Sequence, residues 1–219
     1  RSERTRRLRG VLVAGLVVAL ALLAAGSLLF FIRQAPWGWA AEAVVAGVLV
    51  AQRDLYVHVA AVAVALESGG LVAGRKAVGE IVGRDPDGLD EHGVARGAIE
   101  SLAENFADGV VAPVFWYLGA GLPGMLAAKA INTLDSMIAH TSPRYRAFGE
   151  AAARLDTAIN YLPARIASMI LALAALVAPS ANPAAAFATI WRDARRHRSL
   201  NAGWPEAAET PSTGFRFHG

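Results

Sequence analysis

The stretch DGVVAPVFWYLGAGLPGMLAAK, from Asp108 to Lys129, decides how the chain is to be read. Twenty residues without a charge, Gly109 to Ala128, lie between an acid and a lysine. A straight helix of that length rises about 30 Å, the thickness of a bilayer's hydrocarbon core. Pro113, Gly119, Gly121, Pro123 and Gly124 interrupt it in a way that a plain spanning helix does not need. Two geometries compete. A straight crossing puts Asp108 and Lys129 on opposite sides of a membrane. A re-entrant hairpin turning within Gly119 to Gly124 brings them back together, and irregular backbone at that depth is tolerated where protein buries it. The hairpin is the expectation, because interrupted apolar segments often frame polar sites inside membranes.

The rest of the chain supports a membrane reading. Of its 219 residues 55% are hydrophobic, too many for an average soluble domain. Gly10 to Ile32 is 23 residues without a charge, long enough to cross the bilayer and too long for a signal-peptide core of about 7–15 residues. It is read as a retained first transmembrane helix with the amino terminus in the cytoplasm. Arginines crowd the start, at Arg1, Arg4, Arg6, Arg7 and Arg9, and recur at Arg192, Arg195, Arg196 and Arg198. They flank apolar runs without interleaved aromatics, which fits anchoring at the anionic cytoplasmic leaflet and argues against nucleic-acid binding. There is no cysteine, so any metal must take oxygen or histidine ligands.

Between these landmarks the pattern is helical throughout. An apolar segment from Trp37 to Ala51 continues as Leu55, Val59, Val62 and Leu66, interrupted by Gln52, Arg53, Asp54 and His58, and ends at Ser68-Gly69-Gly70. Leu71 to Val82 reads as a short amphipathic helix bearing Arg75, Lys76 and Glu80. Asp85-Pro86-Asp87-Gly88 is a turn, and Asp90 is an N-cap for a helix through Phe106. A polar helical stretch from Lys129 to Tyr161 breaks near Thr141-Ser142-Pro143, and Pro163 precedes an apolar helix from Ile166 to Ala178. No strand pattern and no repeat of solenoid period is present. The fold class is therefore all-α: a polytopic membrane helix bundle with a broken or re-entrant apolar segment, forming a single integral-membrane domain over residues 1–219.

Three clusters could carry chemistry. Glu100, Glu104 and Asp108 stand four apart, where a helix stacks them at a cost of about 0.2–0.5 kcal/mol per pair of like charges. A cation repays that cost. Hard oxygen ligands on successive turns suit magnesium, which takes one or two carboxylates and leaves its other positions to water and phosphate. Asn105 adds an amide, and Arg96 lies one turn before Glu100; a solvated acidic face paired with that arginine is the plainer reading. In the second cluster Lys129, Asn132 and Ser136 align on one face with Asp135 at its edge and His140 one turn further. Lys129 suits phosphate, whereas His140 taken singly reads better as part of an interhelical polar network. In the third, Asp156 and Asn160 face the same way, and Arg154 and Arg165 offer forks for carboxylate or phosphate; snorkelling at a helix end explains Arg165 equally well. The recurring theme of Asp, Asn and a cation points to an anionic, phosphorylated substrate held through magnesium. Neither a Walker-type loop nor a dinucleotide fingerprint occurs.

At these residues the sequence resembles a known family, the membrane-bound adenosylcobinamide-phosphate synthases of cobalamin biosynthesis, called CbiB or CobD. The resemblance runs from about Asp54 to Glu206, and Ala207 to Gly219 forms an atypical tail. It rests on Ile81-Val-Gly-Arg-Asp85, Leu89-Asp-Glu91, Ala98-Ile-Glu-Ser-Leu-Ala-Glu-Asn105, Asp108-Gly-Val-Val-Ala-Pro113, Lys129-Ala-Ile-Asn-Thr-Leu-Asp-Ser136, Arg154-Leu-Asp156, Asn160-Tyr-Leu-Pro-Ala-Arg165 and Asn201-Ala-Gly-Trp-Pro-Glu206. It implies an ATP-dependent ligation in which a propionate of adenosylcobyric acid becomes an amide of aminopropanol, its phosphate or a related amino alcohol. It also implies a multi-pass protein of the cytoplasmic membrane with its site facing the cytoplasm, magnesium as cofactor and ATP as cosubstrate; a homo-oligomer is compatible with it.

For that chemistry Glu100, Glu104 and Asp108 are the expected metal or phosphate-side ligands, with Asn105, Asn132 and Asp135 completing the pocket. Lys129 and Arg154 hold anionic groups, joined in substrate binding by Arg96, Asn160 and Arg165, and Asp156 is the candidate base. The family's usual opening segment with Asp-Arg, Gly-Asp-Pro and His-Pro is not in this chain, and Glu209 to Gly219 departs from its glycine-rich continuation, so either a fragment or a chain with a shifted or artificial end is expected. Two other classes use similar residues. A membrane prenyl or alcohol transferase predicts a wide lipid-facing cavity. A non-catalytic protein related to the AmpE group predicts that alanine substitutions in the clusters unfold the bundle.

Overall fold

The computed structural model describes residues 2–50, 52–83, 85–139, 146–177, 182–197 and 199–213, with side chains described as far as 209. Among them every regular element is helical: α1 (Glu3–Ile32), α2 (Gly38–Leu49), α3 (Gln52–Val78), α4 (Glu91–Phe106), a π-helical turn (Ala107–Val111), α5 (Ala112–Ile138), α6 (Arg146–Ile159), α7 (Tyr161–Ala174), α8 (Pro183–Asp193), a 3-10 turn (Ala194–Arg196) and α9 (Gly203–Thr213). Three helical stretches are long and apolar enough to cross a membrane: Glu3–Ile32, Gly38–Val78 and Glu91–Ile138. The bent pair α6 and α7 makes a fourth if counted as one span.

The expected first transmembrane segment is α1 from its eighth residue to its end, and Asp90 caps α4 as its sequence predicts, accepting from the Gly93 N–H at 2.7 Å. The helix predicted from Leu71 ends at Val78. The break predicted near Thr141 lies among residues 140–145, outside the described residues, as does His140. A further break, which the sequence pattern does not predict, falls at Asn160 between α6 and α7. The apolar helix expected from Ile166 therefore begins earlier, at Tyr161, and ends at Ala174. Pro163 sits inside its first turn, where a missing N–H costs nothing.

The chain divides into two compact units, residues 1–50 with 108–163 and residues 51–107 with 164–219. In the first, α1 lies against α5 and α6 around Ala14, Leu134 and Ala152. Small residues allow the close approach: a side chain at Gly10 would run into the Phe148 carbonyl, and one at Gly149 into the Ile138 carbonyl. Glu150 holds the assembly at its edge, accepting Arg7 Nε at 3.0 Å and Arg154 Nη2 at 2.7 Å.

The hairpin reading of Gly109 to Ala128 is correct, and the straight crossing is not. Gly121 adopts φ 65°, ψ −161°, a conformation essentially confined to glycine. Trp116 Nε1 donates to the Ile159 carbonyl at 3.2 Å, while Asn132 Nδ2 donates to Asp156 Oδ1 at 3.4 Å. Sixteen residues of straight helix would separate Trp116 from Asn132 by about 24 Å. Both instead reach the last turn of α6. The fold-back is tight, since a Cβ on Gly124 would lie 2.7 Å from the Trp116 carbonyl oxygen, eight residues earlier.

The second unit repeats the device. Gly70 has φ 66°, ψ −163°, and a side chain at Gly74 would meet Leu66, again eight residues earlier. The refolded α3 packs on α4 around Val62, Val78, Val94 and Ala98. A second core of Ala172, Ala186, Ile190, Ala194, Ala207 and Ala208 joins α7, α8 and α9. Ala207 and Ala208, at the start of the atypical tail, are each 3% exposed and so belong to this core.

Candidate functional site

Polar side chains gather in both units. In the second, Ser101 is the hinge of the arrangement. Its hydroxyl donates to the Ile81 carbonyl at 3.1 Å, pinning the loop after α3 to α4. Asn105, one turn on, donates Nδ2 to the Ser101 carbonyl at 2.8 Å and to its Oγ at 3.1 Å, which leaves the Asn105 Oδ1 for other partners. Glu100 and Glu104 line a cavity of about 230 Å³ beside these two residues and Gly83. Adjoining it, and sharing Ile81, Ser101 and Asn105, is a cavity of about 270 Å³ lined also by Asp54, His58 and Glu80. Arg96 is half-buried on the same helix as Glu100.

The predicted acidic face holds for Glu100 and Glu104, which stand a turn apart on α4. Asp108 lies beyond it in the π-helical turn. Pro113 has no N–H to return to residue 109, and the wide turn sits just before it; such turns cluster at functional sites. Among the described residues no three His, Asp or Glu side chains form a ready-made metal cage. The donor set fits magnesium in its usual manner, through one or two carboxylates with water and phosphate oxygens.

A further group in this unit surrounds the Asn201–Glu206 motif. The Arg165 guanidinium lies 4.6 Å from the centre of the Trp204 ring, so Arg165 stacks on protein and is not simply a snorkelling helix end. Glu206, 8% exposed, meets His197 Nε2 at 3.4 Å. Burial pushes the Glu209 carboxyl up to about 8. The late arginine cluster is partly neutralised: Arg192 donates to Asp193 at 2.6 Å and holds its carboxyl below the usual range.

In the first unit Asp156 is the centre. Asn160, 1% exposed at the break before α7, donates Nδ2 to Asp156 Oδ1 at 3.0 Å, and Asn132 donates to the same oxygen. The second and third predicted clusters are thus joined here through Asn132, Asp156 and Asn160. Lys129 and Asp135 are half-buried on the same helix as Asn132. Arg154 is 79% exposed and pairs with Glu150 on its own helix.

The predicted set omits Asp54, His58 and Glu80. Their signal is present, an acid and a histidine one turn apart inside an apolar run, but the sequence does not show that Glu80 and Asn105 share their cavity.

Comparison with known proteins then places the chain. A family model described as CobD/Cbib protein matches residues 1–219. The chain belongs to this family. It is 50% identical over 208 residues to the cobalamin biosynthesis protein CobD of Brucella anthropi, covering 94% of this chain and 61% of that protein. It is likewise 50% identical over 220 residues to the CobD of Rhodobacter capsulatus, covering 99% and 67%, and 52% identical over 179 residues to that of Rhizobium meliloti, covering 81% and 55%. The chain thus spans about three fifths of the length of such relatives. No solved structure matches it.

Proposed function

We propose that the chain is part of an enzyme of cobalamin biosynthesis that joins aminopropanol, or its phosphate ester, to a propionate of adenosylcobyric acid with ATP as cosubstrate. The observation that carries this reading is the family match along the whole chain, with relatives named for cobalamin biosynthesis at about 50% identity. The membrane is the cytoplasmic one, with the polar groups toward the cytoplasm.

A carboxylate resists amines, because the attacking nitrogen meets a charged, poor electrophile. Transfer of a phosphoryl group from ATP makes an acyl phosphate and supplies a leaving group. Glu100 and Glu104, with Asp108, are the side chains that would hold magnesium, which when bound offsets the charge of the transferring phosphoryl group. Lys129 supplies a point charge for phosphate, and Arg96, Arg154 and Arg165 supply forks for anionic substrate groups. In the first unit Asn132 and Asn160 hold the Asp156 carboxylate through its Oδ1, and Asp135 adds a second acid on the helix of Asn132; in the second unit Asn105 adds an amide beside Glu104.

Membranes bearing the full-length protein, supplied with adenosylcobyric acid, ATP, magnesium and candidate amino alcohols, should yield the amidated corrinoid by mass. Its absence under every combination overturns the proposed reaction. Glu104→Ala and Asp108→Ala should each abolish it while the protein stays folded in the membrane, and normal turnover in both overturns the ligand assignment.

A further inference from the structure

The 270 Å³ cavity of the second unit has a polar lining of one kind. His58 Nδ1 lies 2.8 Å from the Asp54 carbonyl oxygen and 3.4 Å from Asp54 Oδ1. Both can only accept, so in the neutral imidazole Nδ1 carries the proton and Nε2 is the acceptor. Asn105 has spent its amide hydrogens on Ser101, and Ser101 has spent its hydroxyl hydrogen on Ile81. What remains is the Asp54 and Glu80 carboxylates, the His58 Nε2 and the Asn105 Oδ1, all acceptors, with no lysine or arginine among the described lining residues. Such a lining repels carboxylate and phosphate and favours a cation rich in N–H donors. Two carboxylates, an imidazole nitrogen and an amide oxygen along one lining give an organic ammonium an acceptor for each of its N–H groups. The volume is at the small end for a ligand cavity. A primary ammonium on a short carbon chain satisfies every one of these conditions.

We propose that this cavity binds the ammonium end of the amino alcohol and that His58, oriented by Asp54, takes its proton. The assignment rests on the ligation reading above. The ammonium gives one proton to His58 Nε2 and becomes a neutral amine. The nitrogen lone pair then attacks the acyl-phosphate carbon made with ATP, the new C–N bond forms, the C–O bond to phosphate breaks, and the second amine proton leaves with the phosphate. His58 returns its proton to solvent.

The test uses the full-length protein in discs of phosphatidylcholine, which carry no primary ammonium of their own. Calorimetry should show binding of 1-amino-2-propanol and none of the neutral 1,2-propanediol, with Glu80→Gln weakening the amine about tenfold or more. His58→Gln should keep amine binding within about threefold and lower kcat by about 10²–10⁴, and imidazole should restore part of the rate in His58→Ala. Equal binding of the diol, unchanged binding in Glu80→Gln, or full turnover in His58→Gln overturns the assignment. Displacement of the amine by phosphatidylethanolamine at lipid concentrations would make a headgroup the occupant and overturn the substrate role. Amidation by wild type with both variants unaffected leaves the ligation standing and removes the cavity from it. Amine binding that responds to Glu80→Gln without any amidated corrinoid from wild type does the reverse: the ammonium site stands, and the ligation falls together with the His58 step.

Discussion

Replacing Gly121 by alanine isolates the cost of the chain reversal in α5. The position has φ 65° and ψ −161°, and a Cβ built there meets nothing closer than Pro123 Cδ at 3.8 Å. Space is therefore not the obstacle. The obstacle is the backbone, since an L side chain in this region costs about 1–3 kcal/mol, or about 5- to 150-fold in the ratio of folded to unfolded protein. Gly119→Ala is the control: its Cβ meets nothing within 4 Å and its backbone is not left-handed, so the change should be neutral or gain up to about 1 kcal/mol of helix propensity. The assay is unfolding of the full-length protein in mild detergent by rising dodecyl sulfate, followed by tryptophan fluorescence. Trp116 lies in the hairpin itself and reports on it directly. Were Gly121→Ala to unfold at the same midpoint as Gly119→Ala, the segment would run straight through and the hairpin would be wrong.

Glu209 predicts a pH dependence. Its carboxyl titrates near 8 in the fold against an ordinary 4.5, so the unfolded chain loses its proton first; the contribution is full below about 4.5, falls as pH rises, and is gone by about 8. Glu209→Gln should flatten the stability profile across that window, and a profile identical to wild type would show that the carboxyl is not buried. Asn160→Ala removes a bond to a carboxylate from a site 1% exposed, and denaturation should register a loss of about 1.5–3 kcal/mol. Asn160→Asp, which sets a second carboxylate against Asp156, should lose more; a smaller loss than for alanine would mean that Asp156 is not ionised in this network. Trp204→Leu keeps the position apolar and deletes the ring under Arg165, so by the same unfolding measurement it should cost at least the roughly 0.5–2 kcal/mol of a ring–cation contact, with Arg165→Ala adding little on top.

What the sequence makes legible is its punctuation. A charge-free run is α1, Asp90 caps α4, and glycine with proline between apolar residues marks the reversal in α5, because each of these is a local decision of the backbone. Less visible are α8 and α9. Asn182 caps α8 through the Ala185 N–H at 3.0 Å and Pro183 opens it, an ordinary start signal, but the alanines that follow carry too little contrast for a face to stand out. The break at Asn160 is hidden for a different reason: its side chain turns back to Asp156 on the preceding turn, so a residue that ends one helix reads like one inside it. The candidate site divides in the same way. Glu100, Glu104 and Asn105 declare themselves by spacing along one helix, whereas the cavity that includes Asp54, His58 and Glu80 depends on where the chain goes after Gly70. Tertiary return of the chain, which no local pattern encodes, is what gives these three residues a common neighbour.

The matching reversals at Gly70 and Gly121 also set where hydrogen-bond acceptors must go. Each starts a helix afresh within an apolar stretch, and the first amide hydrogens of any new helix have no carbonyl one turn behind them. Hydrocarbon cannot supply one, so protein groups or solvent must reach those depths. Each reversal is thus an obligatory polar point in an oily segment, and two such points follow from two glycine torsions that differ by no more than 2°.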